Sequence, residues 1–303
     1  MGEVWAAVDA ESGRHVAIKF LLEKTARKPD LVARFEREAR IAARVQSPFV
    51  CAHLLSGRSE EGELYLVFEL LTGESLADRL KREIELSFAD LAPLLADVLQ
   101  GLVAAHAVGV IHRDLKPANI YIERLEDGTE RAKILDFGVS KVLQEEGGMG
   151  IEQQQLTAMD ATLGSFAYMA PEQVRGAATV DERCDIYAIG SVAFRSLVGK
   201  LPFDGITANM LVSSKLENEP PPLAKATGEQ WPASVEAFVA TCLAKQREDR
   251  YPTAADALAA LRVVMSKYAA VTGIRTPRTA STPEPASLGS EYPPPPDLTV
   301  ADT

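Results

Sequence analysis

Residues His112-Arg113-Asp114-Leu115-Lys116-Pro117-Ala118-Asn119, followed by Asp136-Phe137-Gly138, constrain this chain more than any other feature. They supply an acid, a cation, an amide and a second acid in a fixed order. Phosphoryl transfer calls for that set. Its transition state is loose and leaves little covalent work to protein groups. It needs a positioned hydroxyl, metal ions on the phosphates and cations against developing charge. Asp114 can orient an attacking hydroxyl and accept its proton. Lys116 can meet the transferred group. Asn119 and Asp136 offer oxygen ligands to Mg²⁺, a hard cation. A lone His-Arg-Asp arises by chance, whereas this whole run with Asp-Phe-Gly downstream does not.

The run resembles the catalytic loop and metal-binding motif of eukaryotic-like protein kinases. Lys116-Pro117 after the acid, with Pro171-Glu172-Gln173, is most similar to the bacterial Hanks-type serine/threonine branch. The resemblance implies a two-lobed α+β protein kinase fold. A small antiparallel β lobe with one helix would span residues 1–70, and a larger, mainly helical lobe 71–270. It also implies that ATP and Mg²⁺, for which Mn²⁺ could substitute, bind between the lobes. The γ-phosphoryl group would pass to Ser/Thr hydroxyls of protein substrates, with autophosphorylation in signalling. A homodimer is compatible with the resemblance.

Further residues take roles from the same resemblance. Lys19, in Val16-Ala17-Ile18-Lys19, matches the lysine that holds the α- and β-phosphates, with Glu38 as its orienting partner. Read without the family, Lys19 suits a solvated strand face. Arg34 and Glu38, or Glu36 and Arg40, suit local helix pairs. Gly2 and Val4 match the end of the nucleotide-covering loop. Ala17, Leu71, Tyr121 and Leu135 match adenine-site positions, and Phe68 the residue that narrows the back of that pocket. The backbone of Glu69 to Leu71 would carry the adenine hydrogen bonds. Ala170-Pro171-Glu172 resembles the end of an activation segment that begins at Asp136, and Arg250 the distant partner of Glu172. Asp185 matches the acid that braces the catalytic loop, and a buried acid needs such partners. His112 is read as a packing residue beneath Phe137. Arg113 matches the arginine that receives a loop phosphate, with Thr157 and then Thr162 as candidate acceptors and Ser165 as a structural hydroxyl.

Composition sets looser bounds. The 303 residues, 47% hydrophobic, can bury a large core in about two lobes. A net charge of -11 argues against non-specific nucleic-acid binding. Cys51, Cys184 and Cys242 are scattered and lack metal spacing, which suits a reduced, cytoplasmic protein. The apolar stretch from Leu91 to Ile111 is broken by Pro93, Asp97, Gln100 and His106, so it reads as a buried helix rather than a membrane span. No basic region with an apolar run follows Met1, so no signal peptide is expected.

Along the chain, Val16, Ile18 and Phe20 alternate as in a strand, and Leu64–Phe68 form another. Pro29-Asp30 opens a helix. From Ser75 to Tyr268 the pattern is helical, with strands around Ile120 and Ile134 only. Residues 141–160 read as a loop, and 271–303 as a disordered Pro/Ser/Thr-rich tail. His15, His53 and His106 show no partner, and Arg195 in an apolar helix has no evident reason.

The chain departs from the family at its start. Met1-Gly2-Glu3-Val4 matches only the last Gly-x-Val of the Gly-x-Gly-x-x-Gly-x-Val loop, so the first strand and two glycines are expected to be missing. A start assigned too far downstream, or a natural truncation, would each give this. The truncation also leaves open a pseudokinase or docking module with weak ATP binding. A small-molecule phosphotransferase fits less well, because it would lack the segment ending Ala170-Pro171-Glu172.

Overall fold

The computed structural model describes residues 3–20, 43–59, 62–136, 164, 166–176, 180–203, 205 and 207–273. Several expected features lie outside them: Gly2, the helix after Pro29 with Glu38, Phe137 and Gly138, the loop with Thr157 and Thr162, Ser165, and residues 274–303.

Strands β1 (Val4–Val8), β2 (His15–Phe20), β3 (His53–Arg58) and β4 (Leu64–Glu69) form an antiparallel sheet in the order β1-β2-β4-β3. The period-two alternation sends Val16 into the sheet's packed side at 5% exposure and turns Ala17 and Lys19 to the other face. Register fixes which residues join them. Val4 pairs with Lys19, Phe68 with Ala17 and Leu66 with Lys19, and opposed residues share a face.

A second sheet, β5-β6-β7, comprises Gly73–Ser75, Ile120–Arg124 and Glu130–Ile134. β6 and β7 fall where the sequence predicts strands. β5 is an addition, since Gly-Glu-Ser carries no apolar alternation. Gly73 has φ +148°, and a Cβ there would collide with the Ile122 carbonyl. Only glycine allows this pairing.

The helical lobe is built on α2 (Phe88–Ala107), which follows α1 (Leu76–Glu83). Ser75 and Ser87 cap the two helices, their hydroxyls accepting from the backbone N–H of Asp78 and Asp90. α2 runs straight through Pro93, Asp97 and Gln100, the positions that interrupt the apolar run in the sequence. By length and composition it could cross a membrane, yet 72% of that window is buried inside the protein. Leu91, Val98, Leu99 and Leu102 have no exposed surface. Gly101 lets Phe49 and the end of β7 approach, because a Cβ there would stand 2.8 Å from the Phe49 carbonyl oxygen and 2.9 Å from Ile134 Cδ1.

α4 (Arg183–Val198) and α8 (Ala254–Thr272) pack on α2; α7 (Ala233–Cys242) packs on both of these, α6 (Leu223–Thr227) on α4, and α3 (Pro171–Arg175) on α5 (Ala208–Glu217). α4 is buried on nearly every side. Arg195, near its C-terminal end, reaches out and donates to the Ile84 carbonyl at 2.9 Å, which accounts for a charge in an apolar helix. All three cysteines are free thiols.

Candidate active site

The loop between α2 and β6 carries Asp114, Lys116 and Asn119. Its backbone is held by one carboxylate. Asp185, in the first turn of α4 and fully buried, accepts from His112 N–H at 2.9 Å, Arg113 N–H at 2.8 Å and His106 Nε2 at 2.9 Å. Burial pushes the Asp185 carboxyl up. The bond from His106 and the neighbouring imidazoles outweigh that and leave it below the usual carboxylate range. His106, which shows no partner in the sequence, is therefore part of this brace. Bracing matters because Arg113 has φ 61° and Asp136 φ 50°. For non-glycine residues such backbone costs about 1–3 kcal/mol and persists only when its surroundings enforce it.

His112 lies beneath the loop with no exposed surface. Its Nδ1 accepts from Asp114 N–H at 3.2 Å and its Nε2 meets the Leu135 carbonyl at 3.0 Å. With one nitrogen at a backbone N–H and the other at a backbone carbonyl, the ring is a spacer between two stretches of main chain. It ties the Asp114 backbone to the strand leading into Asp136.

The Asp114 carboxylate is 8% exposed and receives Lys116 Nζ at 2.7 Å. Asn119 donates its amide to the Asp114 carbonyl at 2.8 Å and, more weakly, to the carboxylate at 3.4 Å. That use of the nitrogen leaves the amide oxygen for a cation. Across the cleft Lys19 Nζ meets Asp136 Oδ2 at 2.6 Å, joining the upper sheet to the end of β7. Asp136 and Asn119 form a hard-oxygen set that suits Mg²⁺. Leu135 N–H donates to the Asn119 carbonyl at 2.8 Å, which ties the segment ending in Asp136 to the loop that carries Asp114, Lys116 and Asn119.

The remaining expected lining is arranged as follows. Val4 and Ala17 share the Lys19 face of the sheet, with Phe68, whose ring meets His53 edge-on at 5.6 Å. Leu71, Tyr121 and Leu135 are half-buried, and the Tyr121 hydroxyl reaches the Leu71 carbonyl at 3.4 Å. The Glu69 side chain turns away to Ala52 N–H and Lys133 Nζ, each at 2.8 Å.

Beyond the loop, Glu172 and Arg250 form a two-pronged pair at 2.7 and 2.8 Å, with Arg250 3% exposed. Sequence reasoning misses Gln173. Its Nε2 donates to the Arg113 carbonyl at 2.8 Å while its Oε1 accepts from Ala170 N–H at 2.9 Å. A glutamine in the first turn of a short helix carries no signal of such a bridge.

A small antiparallel sheet, a helical lobe and an acid–lysine–asparagine loop facing a lysine–aspartate pair define a two-lobed kinase fold. The chain belongs to the protein kinase domain family, which matches residues 1–261. It is 36% identical over 260 residues to the serine/threonine-protein kinase PknB of Mycobacterium tuberculosis, covering 84% of this chain and 40% of that protein. To PknA of the same species it is 34% identical over 292 residues, covering 94% and 62%. To pkn3 of Myxococcus xanthus it is 33% identical over 261 residues, covering 86% and 47%. The chain therefore spans about half the length of these relatives. The Mycobacterium tuberculosis PknI kinase domain shares the fold at a TM-score of 0.65 and 23% identity, over 87% of this chain and 91% of that one.

Proposed function

We propose that this chain is a serine/threonine protein kinase that transfers the γ-phosphoryl group of ATP to protein hydroxyls. The observation that supports the reading is a pair of linked contacts: Asp114 holds Lys116 and Asn119, Lys19 holds Asp136, and Leu135 N–H joins the two through the Asn119 carbonyl. Asp114 orients the incoming hydroxyl and takes its proton. Lys116, already 2.7 Å from Asp114, follows the charge onto the transferred group. Lys19 shifts from Asp136 to the α- and β-phosphates when nucleotide enters. Asp136 and the Asn119 oxygen are then free to hold Mg²⁺, which when bound neutralises the phosphate oxygens. Val4, Ala17, Phe68, Leu71, Tyr121 and Leu135 enclose the base. The relatives named above are called serine/threonine-protein kinases, which supports the acceptor class.

The test is transfer of labelled phosphate from Mg²⁺·ATP to casein and to the chain itself. Asp114→Asn should lower the rate by about 10²–10⁴-fold, the range for a lost general base. Near-normal transfer by Asp114→Asn would refute the assignment. ATP binding without any transfer by the wild-type chain would point instead to a docking module.

A further inference from the structure

Lys215 is the one lysine among the described residues found with the largest fully buried side chains, at 1% exposure. In sequence, Ser213-Ser214-Lys215-Leu216 gives no hint of this. Its Nζ sits on α5 and donates to three backbone carbonyls of one strap: Phe166 at 2.9 Å, Ala167 at 2.9 Å and Met169 at 2.6 Å. An ammonium has three N–H donors and no acceptor, so the three carbonyls match its capacity. Hydrogen bonds from an ionised donor are among the stronger kinds, and a desolvated cation needs them. The Tyr187 ring lies 5.3 Å below the ammonium and also carries the Arg250 guanidinium at 5.0 Å. One aromatic ring thus backs both cations, and each cation grips a different end of the segment from Phe166 to Glu172.

The strap is attached to α5 by a small apolar cluster of its own, Phe166, Ala167, Phe203 and Leu211, separate from the main core. On its other side Gln173 links Ala170 to the Arg113 carbonyl, one residue before Asp114. Because Gln173 fastens this strap to the residue before Asp114, a polypeptide that presents a hydroxyl to Asp114 would lie against it. We infer that Lys215 is a positioning residue for protein substrate: it fixes the carbonyl run 166–169 and so the surface on which the acceptor chain lies. The inference rests on the kinase reading and adds a determinant that touches neither nucleotide nor reacting atoms.

The experiment uses the full chain with Lys215→Met and Lys215→Arg. Casein KM is measured beside the dissociation constant of a fluorescent ATP analogue, and backbone hydrogen exchange is compared at residues 166–170 and 91–102. Lys215→Met should raise casein KM about tenfold and speed exchange in the strap alone, with ATP affinity changed less than about twofold. Lys215→Arg keeps the cation but replaces a compact ammonium by a larger planar fork, so it should recover only part of the loss. Unchanged casein KM and strap exchange in Lys215→Met would overturn the inference. So would a fall in ATP affinity in step with the casein effect, since the lysine would then merely support the fold. Where Lys215→Met gives no folded protein, Lys215→Gln takes its place. Collapse of both also refutes the inference, because a pin on one strap does not hold the core. A wild-type chain that labels no protein refutes the kinase reading, while the exchange comparison still decides the clamp.

Discussion

Replacing Asp97 by asparagine should change how stability depends on pH. Asp97 sits in the middle of α2 at 3% exposure and accepts from Ala132 N–H of β7 at 3.0 Å. Burial raises its carboxyl from 3.8 to about 7, against smaller lowering effects from that hydrogen bond and from Arg131. A rise of that size corresponds to about 4 kcal/mol at most, and relaxation of the site brings this to roughly 2–4 kcal/mol. The native state therefore binds the proton more tightly than the unfolded chain. The stabilisation is fully present below pH 3.8 and is lost as pH rises through about 7. The substituted asparagine would keep an acceptor for Ala132 and would not ionise, but it brings a buried NH₂ that costs about 1–3 kcal/mol if unpaired. Asp97→Asn should thus be less stable than wild type near pH 5 and equal or more stable near pH 8, by about 1–2 kcal/mol. Urea unfolding of both proteins across that range gives the difference profile. Parallel curves for the two proteins would show that Asp97 does not titrate in the interior, and the reasoning would fall.

Three other outcomes are expected. Glu172→Gln leaves Arg250 buried without its counter-charge, and thermal unfolding should report a loss of about 3–5 kcal/mol. Gly101→Val drives a side chain into the Phe49 carbonyl and Ile134, which should cost about 1–3 kcal/mol or more in denaturant unfolding while Gly101→Ala costs less. Incubation with Mg²⁺·ATP should place phosphate on Thr157 or Thr162, mapped by mass spectrometry, and the double alanine variant should lose activity. Full activity in that variant would leave Arg113 without a phosphate to receive.

The elements that the sequence announces clearly are those with a period. Val16, Ile18 and Phe20 alternate and form β2, the apolar run Leu64–Phe68 forms β4, and the run after Leu91 becomes α2. The catalytic loop is legible because its chemistry is concentrated in consecutive positions. What stays hidden are partnerships between distant residues. His106 reaches Asp185, Arg195 reaches Ile84, Gln173 reaches Arg113 and Lys215 reaches Phe166, and none of these pairs shares a local pattern. In each, a polar group meets a need created by backbone geometry or burial elsewhere. Such a need is invisible until the chain is folded. Pro93, Asp97 and Gln100 interrupt the apolar run enough to read as a buried helix rather than a membrane span, and α2 is such a helix, with 72% of that window buried.

The partner of α2 has consequences during synthesis. α2 is the most lipid-like segment among the described residues, and its most extensive helix–helix contact is with α8, sealed where Phe88 meets Tyr268 at 4.9 Å between ring centroids. A ribosome releases Phe88–Ala107 long before it releases Ala254–Thr272. In that interval a 20-residue greasy helix lacks its lid. Nascent chains halted before Ala254 should therefore be captured by chaperones that hold exposed apolar surface, and should become resistant to protease only once α8 has emerged. For this fold, closure of the helical lobe is an event at α8, and a chain cut before Ala254 would leave the α2 face that packs on α8 uncovered.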